Sequence, residues 1–150
     1  MKSSISISIK YGIFIALSFI IYFLALKLIG LHTNPWLRVL NGLIMGCGIF
    51  MTIKNFKNNT TEFDYGSGFK TGLMAGFIAT ILFVGFMSIY FFHIDPSFTY
   101  YLLQNWFSGF DYGAGILVFI LSLEGFSSAL VLTLACMQFL KNSGNIPQNK

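Results

Sequence analysis

Residues 113–140 read GAGILVFILSLEGFSSALVLTLACMQFL, an apolar run that holds a single charge, Glu124. At a rise of about 1.5 Å per residue, roughly 20 apolar residues cross a hydrocarbon layer about 30 Å thick. The run is long enough, and it offers no polar face to water. Three other stretches share this character. Tyr11–Leu31 is broken only by Lys27 near its end, Leu37–Ile53 is uncharged after Arg38, and Phe69–Phe92 carries Lys70 at its mouth. None has a polar side, as is usual for helices surrounded by lipid. The expected fold class is all-α: a polytopic membrane protein with four transmembrane helices at about residues 11–31, 37–53, 69–92 and 113–140 of one domain, residues 1–150.

The whole composition agrees. Of 150 residues, 55% are hydrophobic and 9% charged, against about a quarter charged in soluble domains. Nine Lys and Arg with five Asp and Glu cannot clothe a globule in water, so lipid must be the solvent for most of the surface. The net charge of +4 does not point to nucleic acid, because the basic residues sit at the ends of apolar runs, where they fix orientation. Lys2, Lys10, Lys54, Lys57, Lys70, Lys141 and Lys150 fall on one side of a four-span arrangement, and Lys27 and Arg38 on the other. The positive-inside rule then places both termini in the cytoplasm. Met1-Lys2 before an apolar run resembles the start of a signal peptide. That run is too long for an h-region and lacks an A-x-A site, so a retained first span is expected. Cys47 and Cys136 lie inside apolar segments at different estimated depths, without CxxC or metal spacing, and read as small buried hydrophobes.

The connections differ in kind. His32-Thr33-Asn34-Pro35 is a tight turn that makes spans one and two an antiparallel hairpin, whereas Lys54 to Asp64 is polar, asparagine-rich and belongs in water. His93 to Asp111 has no Lys or Arg and many aromatics. Asp95-Pro96 starts a helix there, with Asp as N-cap and Pro at the first position. Pro96–Phe107 is expected to be a short interfacial helix between the third and fourth spans, with Phe98, Leu102 and Trp106 among its apolar contacts.

Small residues recur at a four-residue step: Gly42 and Gly46, then Gly68, Gly72 and Gly76 reaching Thr80, then Gly125 and Ala129. Such residues share a helix face and let backbones approach closely. Packing within one four-helix bundle is the default reading, and a homodimer interface on the third helix the alternative. Phe63-Asp64-Tyr65-Gly66-Ser67-Gly68 is echoed by Phe110-Asp111-Tyr112-Gly113-Ala114-Gly115. The flanks do not extend the match, so shared helix-start chemistry explains it better than duplication.

Four motifs together carry a resemblance. Lys10-Tyr11-Gly12 opens span one, and Gly48 through Ile53-Lys54-Asn55-Phe56 closes span two. Tyr65-Gly66-Ser67-Gly68-Phe69-Lys70-Thr71-Gly72 opens span three, and Leu123-Glu124-Gly125-Phe126 precedes an apolar run ending Phe139-Leu140-Lys141. With these the chain resembles a family of small bacterial four-helix membrane proteins, a domain of unknown function. The resemblance implies a bacterial cytoplasmic membrane and this four-span layout, and implies no activity.

Catalytic chemistry finds little purchase. Gly66-Ser67-Gly68 with Gly72 is not GxGxxG, and no GxxxxGK[ST] occurs. Gly125-Phe126-Ser127-Ser128-Ala129 faintly resembles intramembrane serine proteases, whose nucleophile needs a histidine within reach. His32 and His93 sit at the outer ends of spans, and Ser127 lies roughly 15 Å deeper. His32, His93 and Asp95 face one side, but exposed interfacial histidines are the default reading over a metal site. No catalytic, cofactor-binding or metal residue is expected.

Glu124 is the exception to an otherwise apolar span. It lies about 12 Å inside the hydrocarbon edge, where a carboxylate costs about 2.5–3.5 kcal/mol. It can be protonated, pair with Lys27 from the same outer side, or line a hydrated path. The expectation is a side chain pointing into the bundle with Lys27 as its nearest cation. The functional expectation is a non-enzymatic membrane protein, an accessory or self-associating subunit. The alternative is a small ion or proton transporter or channel centred on Glu124. Expected partners are the lipid bilayer and a second copy or larger membrane complex, with no cofactor and no nucleic acid.

Overall fold

The computed structural model describes residues 4–60, 63–106 and 113–140. Four helices are long and apolar enough to cross a membrane: α1 (Ser4–Leu28), α2 (Val39–Asn58), α3 (Tyr65–Ile89) and α5 (Gly115–Leu140), with a short α4 (Pro96–Trp106) before the last. A 3-10 turn, Pro35–Arg38, leads into α2, and a π-helical turn, Tyr90–Ile94, extends α3. The expected end at Phe107 lies outside the described residues, as do the Trp106 side chain, the Asp111 echo, Lys2, Lys141 and Lys150.

Helix ends are set by local chemistry. Asp64 caps α3, its carboxylate accepting from the Gly66 and Ser67 N–H groups at 2.9 and 3.2 Å. At the far end of α1, Gly30 adopts φ 74°. Its N–H donates to the Lys27 carbonyl and the Leu31 N–H to the Leu26 carbonyl, the paired bonds of a Schellman stop, where a left-handed residue suits glycine. The helix therefore ends at Leu28, earlier than hydropathy alone suggests. It also begins earlier, at Ser4. Ser4 and Ser8, ahead of the expected start at Tyr11, are satisfied inside the structure. Ser8 Oγ donates to the Thr71 carbonyl at 2.9 Å, and the Ser4 and Thr71 hydroxyls meet at 2.6 Å.

The packing is organised around α3, which lies against α1, α5 and α2, while α2 also lies against α5 and α1. The α3–α5 seam is made of small residues in antiparallel register. A Cβ added to Gly72 would stand 3.0 Å from Thr133 Cγ2, one on Gly76 2.6 Å from Ala129 Cβ, and one on Gly125 2.5 Å from Thr80 Cγ2. At the next step Gly68 faces Met137 and Phe63. Each pair moves four residues up one helix and four down the other. Thr80 and Thr133 donate their hydroxyls to the Gly76 and Ala129 carbonyls of their own helices, so the seam carries no unmade hydrogen bond from these side chains. The small-residue stripe of α3 is thus occupied within the chain rather than free for a second copy. Gly42 differs: nothing lies within 4 Å of a Cβ built there, and Gly46 makes only ordinary contact with Leu132.

Around the seam lies a closely packed core. Ile49, Ile53, Ala75, Ala79, Ala129 and Met137 are fully buried. Cys136 joins this core, but Cys47 is exposed, and both are free. They stand at similar heights rather than at the different depths expected, since Cys136 Sγ lies 3.8 Å from the carbonyl of Gly46, the residue next to Cys47. A second cluster of Tyr90, Phe91, Phe98 and Leu117, with Phe23 and Leu102 against it, seats α4 on α1, α3 and α5.

The seam makes a test. Gly76→Val and Gly125→Val should each destabilise the fold by about 1–3 kcal/mol through overpacking, whereas Gly42→Ala should be neutral or slightly stabilising. Equilibrium unfolding in mixed detergent micelles would read the difference, and equal losses at Gly42 and Gly76 would remove the seam from its organising place.

Candidate functional site

The ionisable residues near the start of α2 and the end of α1 form two pairs. Lys27, in the last turn of α1, donates to Asp95 Oδ2 at 3.4 Å and lies 4.5 Å above the Tyr90 ring. Arg38, where the 3-10 turn becomes α2, donates through Nη2 to Glu124 Oε2 at 2.7 Å. The expected Lys27–Glu124 pair is not formed. Helix adjacency explains the exchange, because α5 packs on α2 and α3, and α1 and α5 make no comparably extensive contact. Helical side chains also lean toward their own N-terminus, which carries Glu124 toward the start of α5 and the neighbouring Arg38.

Glu124 does not enter the buried core. Its side chain is 49% exposed, and it borders an open cleft of about 60 Å³ with Arg38, Asn41, Gly42, Thr80, Gly125 and Ser128. Gly42 leaves open space on the α2 side of the cleft, whereas Gly125 packs on Thr80 of α3. The polar atoms of the cleft come from α2, α3 and α5. Below it, Ile49, Ala79 and Ala129 close the interior. Arg38 was legible in the sequence only as a marker of orientation. The signal that would have found it is its place at the start of a helix parallel to α5.

Asp95 does more than begin α4. Its Oδ1 accepts from the Phe98 N–H at 3.0 Å, while Oδ2 receives Lys27 and, at 3.3 Å, the Tyr90 hydroxyl. The Phe98 N–H holds its carboxyl below the usual carboxylate range, and Lys27 and Tyr90 act in the same direction against the opposing effect of desolvation. Tyr22 fixes the neighbouring turn by donating to the Leu37 carbonyl at 2.9 Å. His32 packs on Phe98 and His93 is exposed. Among the described residues no group of three His, Cys, Asp or Glu is placed to hold a metal ion.

Both pairs can be tested. Arg38→Met and Glu124→Gln should couple by about 0.5 kcal/mol or more in a double-mutant cycle, whereas Lys27→Met and Glu124→Gln should add within about 0.3–0.5 kcal/mol. Reversal of the two results would restore the Lys27 pairing. For Asp95, a carboxyl with a lower pKa folded than unfolded binds fewer protons when folded. Its stabilisation is complete above the ordinary value of 3.8 and disappears as pH falls through the lower folded value. Asp95→Asn should therefore flatten the loss of thermal stability in that acid window, while Asp95→Ala should cost about 1 kcal/mol at neutral pH through the lost cap.

No curated protein matches the chain, and no solved structure does. A family match does exist, to the family described as "Protein of unknown function (DUF4199)", over residues 10–107. It takes in α2, α3, α4 and most of α1, with Lys27, Arg38 and Asp95, and stops before α5 and Glu124. The Leu123–Phe126 motif lies beyond it. The matched segment is more than half of the chain, and the protein belongs to the DUF4199 family.

Proposed function

We propose that this protein is a non-enzymatic integral membrane protein that works by self-association, through the α2–α5 face that carries Arg38 and Glu124. The observation that carries this reading is a half-exposed carboxylate well inside a membrane-spanning helix. A charge facing lipid is costly, and such residues are normally covered by protein or water. The patch contains one acid and one base, so under two-fold symmetry it is its own complement: each Glu124 meets a second Arg38. Gly42 beside it has open space where a side chain would stand, which lets a partner backbone come close. The dimer surface is thus α2 with α5, not the α3 stripe.

The membrane is proposed to be the bacterial cytoplasmic membrane, with both termini in the cytoplasm and α4 at the outer interface. The charge distribution supports that orientation: Lys10, Lys54, Lys57 and Lys70 lie toward one end of the helices, Lys27 and Arg38 toward the other. No nucleic acid or cofactor enters the proposal. A second reading, a small proton or ion transporter, draws on the cleft beside Glu124 with Asn41, Thr80 and Ser128. The buried apolar layer beneath it weighs against a through-path.

In a Cys47→Ala, Cys136→Ala background, Gly42→Cys should crosslink to dimers in membranes, and Ile21→Cys on α1 should not. Crosslinking to an unlike chain would replace self-association with an accessory role. Glu124→Gln abolishing a measured proton flux in sealed vesicles would establish transport instead. In the same background, cysteine at Ser97 should react with an impermeant thiol reagent in intact cells and cysteine at Asn58 should not. The opposite pattern would invert the orientation.

A further inference from the structure

A second, partly enclosed cavity of about 100 Å³ lies between the α1–α2 turn and the ends of α3, α4 and α5. Its walls are aromatic and aliphatic, with Phe23, Phe83, Phe98 and Leu121 among them. Its polar lining is Tyr22, His32, Thr33, Asn34, Arg38 and Asn41, of which Tyr22 already donates to the Leu37 carbonyl, Asn34 accepts from the Trp36 N–H and Arg38 donates to Glu124. The Nδ1 of His32 and the Oδ1 of Asn41 are buried, and neither has a hydrogen-bond partner among the described residues. Leaving one buried polar atom unpaired costs on the order of 1–3 kcal/mol, so two on the walls of one cavity point to a ligand.

The chemistry of the walls narrows the ligand. Asn41 Oδ1 is an acceptor and calls for an O–H or N–H donor, and His32 Nδ1 accepts when the ring proton is on Nε2. A carboxylate or phosphate head would set acceptor against acceptor at Asn41, and Arg38, the cation of the lining, already holds Glu124. An acyl chain would leave both atoms unpaired. The phenylalanines favour a ring, since aromatic pairs gain from edge-to-face contact. The space is of the order needed for one ring, given that a cavity of about 150 Å³ takes benzene. The open side lets a substituent continue outward.

We propose that this cavity binds a membrane-soluble hydroxylated aromatic of the quinol class. The ring lies among Phe23, Phe83 and Phe98, one hydroxyl donates to Asn41 Oδ1, and the other donates to His32 Nδ1. The site shares Asn41 and Arg38 with the cleft at Glu124, and it involves binding alone, with no electron transfer.

The test uses the full chain in lipid nanodiscs and three probes that differ only in hydroxyl count: hexylhydroquinone, 4-hexylphenol and hexylbenzene. Binding is followed by native mass spectrometry and by the shift in thermal midpoint. Each lost hydroxyl should weaken binding about fivefold or more. Asn41→Leu and His32→Phe should each erase one step of that series while leaving hexylbenzene unchanged. If Asn41→Leu fails to fold, His32→Phe reads the same prediction. Equal binding of all three probes would reduce the site to an apolar void and overturn the proposal. So would the absence of saturable binding, with water occupying the positions at Asn41 and His32.

Discussion

The close approach of α3 to α5 is the constraint on which the rest of the structure depends. Lipid is as apolar as leucine, so helices in a membrane gain little from hiding hydrocarbon and associate through fine packing instead. The seam from Gly68 to Thr80 against Gly125 to Met137 supplies that packing, because each step sets a residue without bulk against one with a methyl group or a flexible tip. The hydroxyls of Thr80 and Thr133 are returned to their own helices, leaving their methyl groups to fill the seam. Once α3 and α5 are fixed at this distance, α1 and α2 complete the core through Ile15, Ile49 and Ile53.

The end of the helices that carries Lys27, Arg38 and Asp95 is organised differently. There the chain must turn twice, and its freed backbone groups need partners. Gly30 stops α1, Tyr22 holds the Leu37 carbonyl, Asp95 caps α4, and Thr99 donates to the Phe91 carbonyl left by the π-helical turn at 2.9 Å. Lys27 and Arg38 then do separate jobs. Lys27 ties the stop of α1 to the start of α4, while Arg38 reaches the carboxylate of α5. Asn41 lines both the cleft at Glu124 and the aromatic cavity, so the two openings stand side by side at one end of the molecule.

Much of this was legible in the residues. Asp64 and Asp95 announce helix starts because a short carboxylate after an irregular segment has orphan N–H groups to accept from. The four-residue steps of glycine announce close contact, but a step does not say with what. Gly42 and Gly76 look alike in the sequence, and one faces open space while the other meets Ala129. The start of α1 at Ser4 was not legible, because hydropathy cannot see Thr71 across the helix pair.

The sequence by itself determined the all-helical class, the four helices long and apolar enough to cross a membrane, and the one acid within them. These follow from local runs of side chains, whose transfer energies add along the chain. Only the tertiary structure decided that Glu124 answers to Arg38 and Lys27 to Asp95. Depth along a helix can be estimated from residue counts, but which helix stands beside which, and which way a side chain leans, depends on packing around all four axes at once.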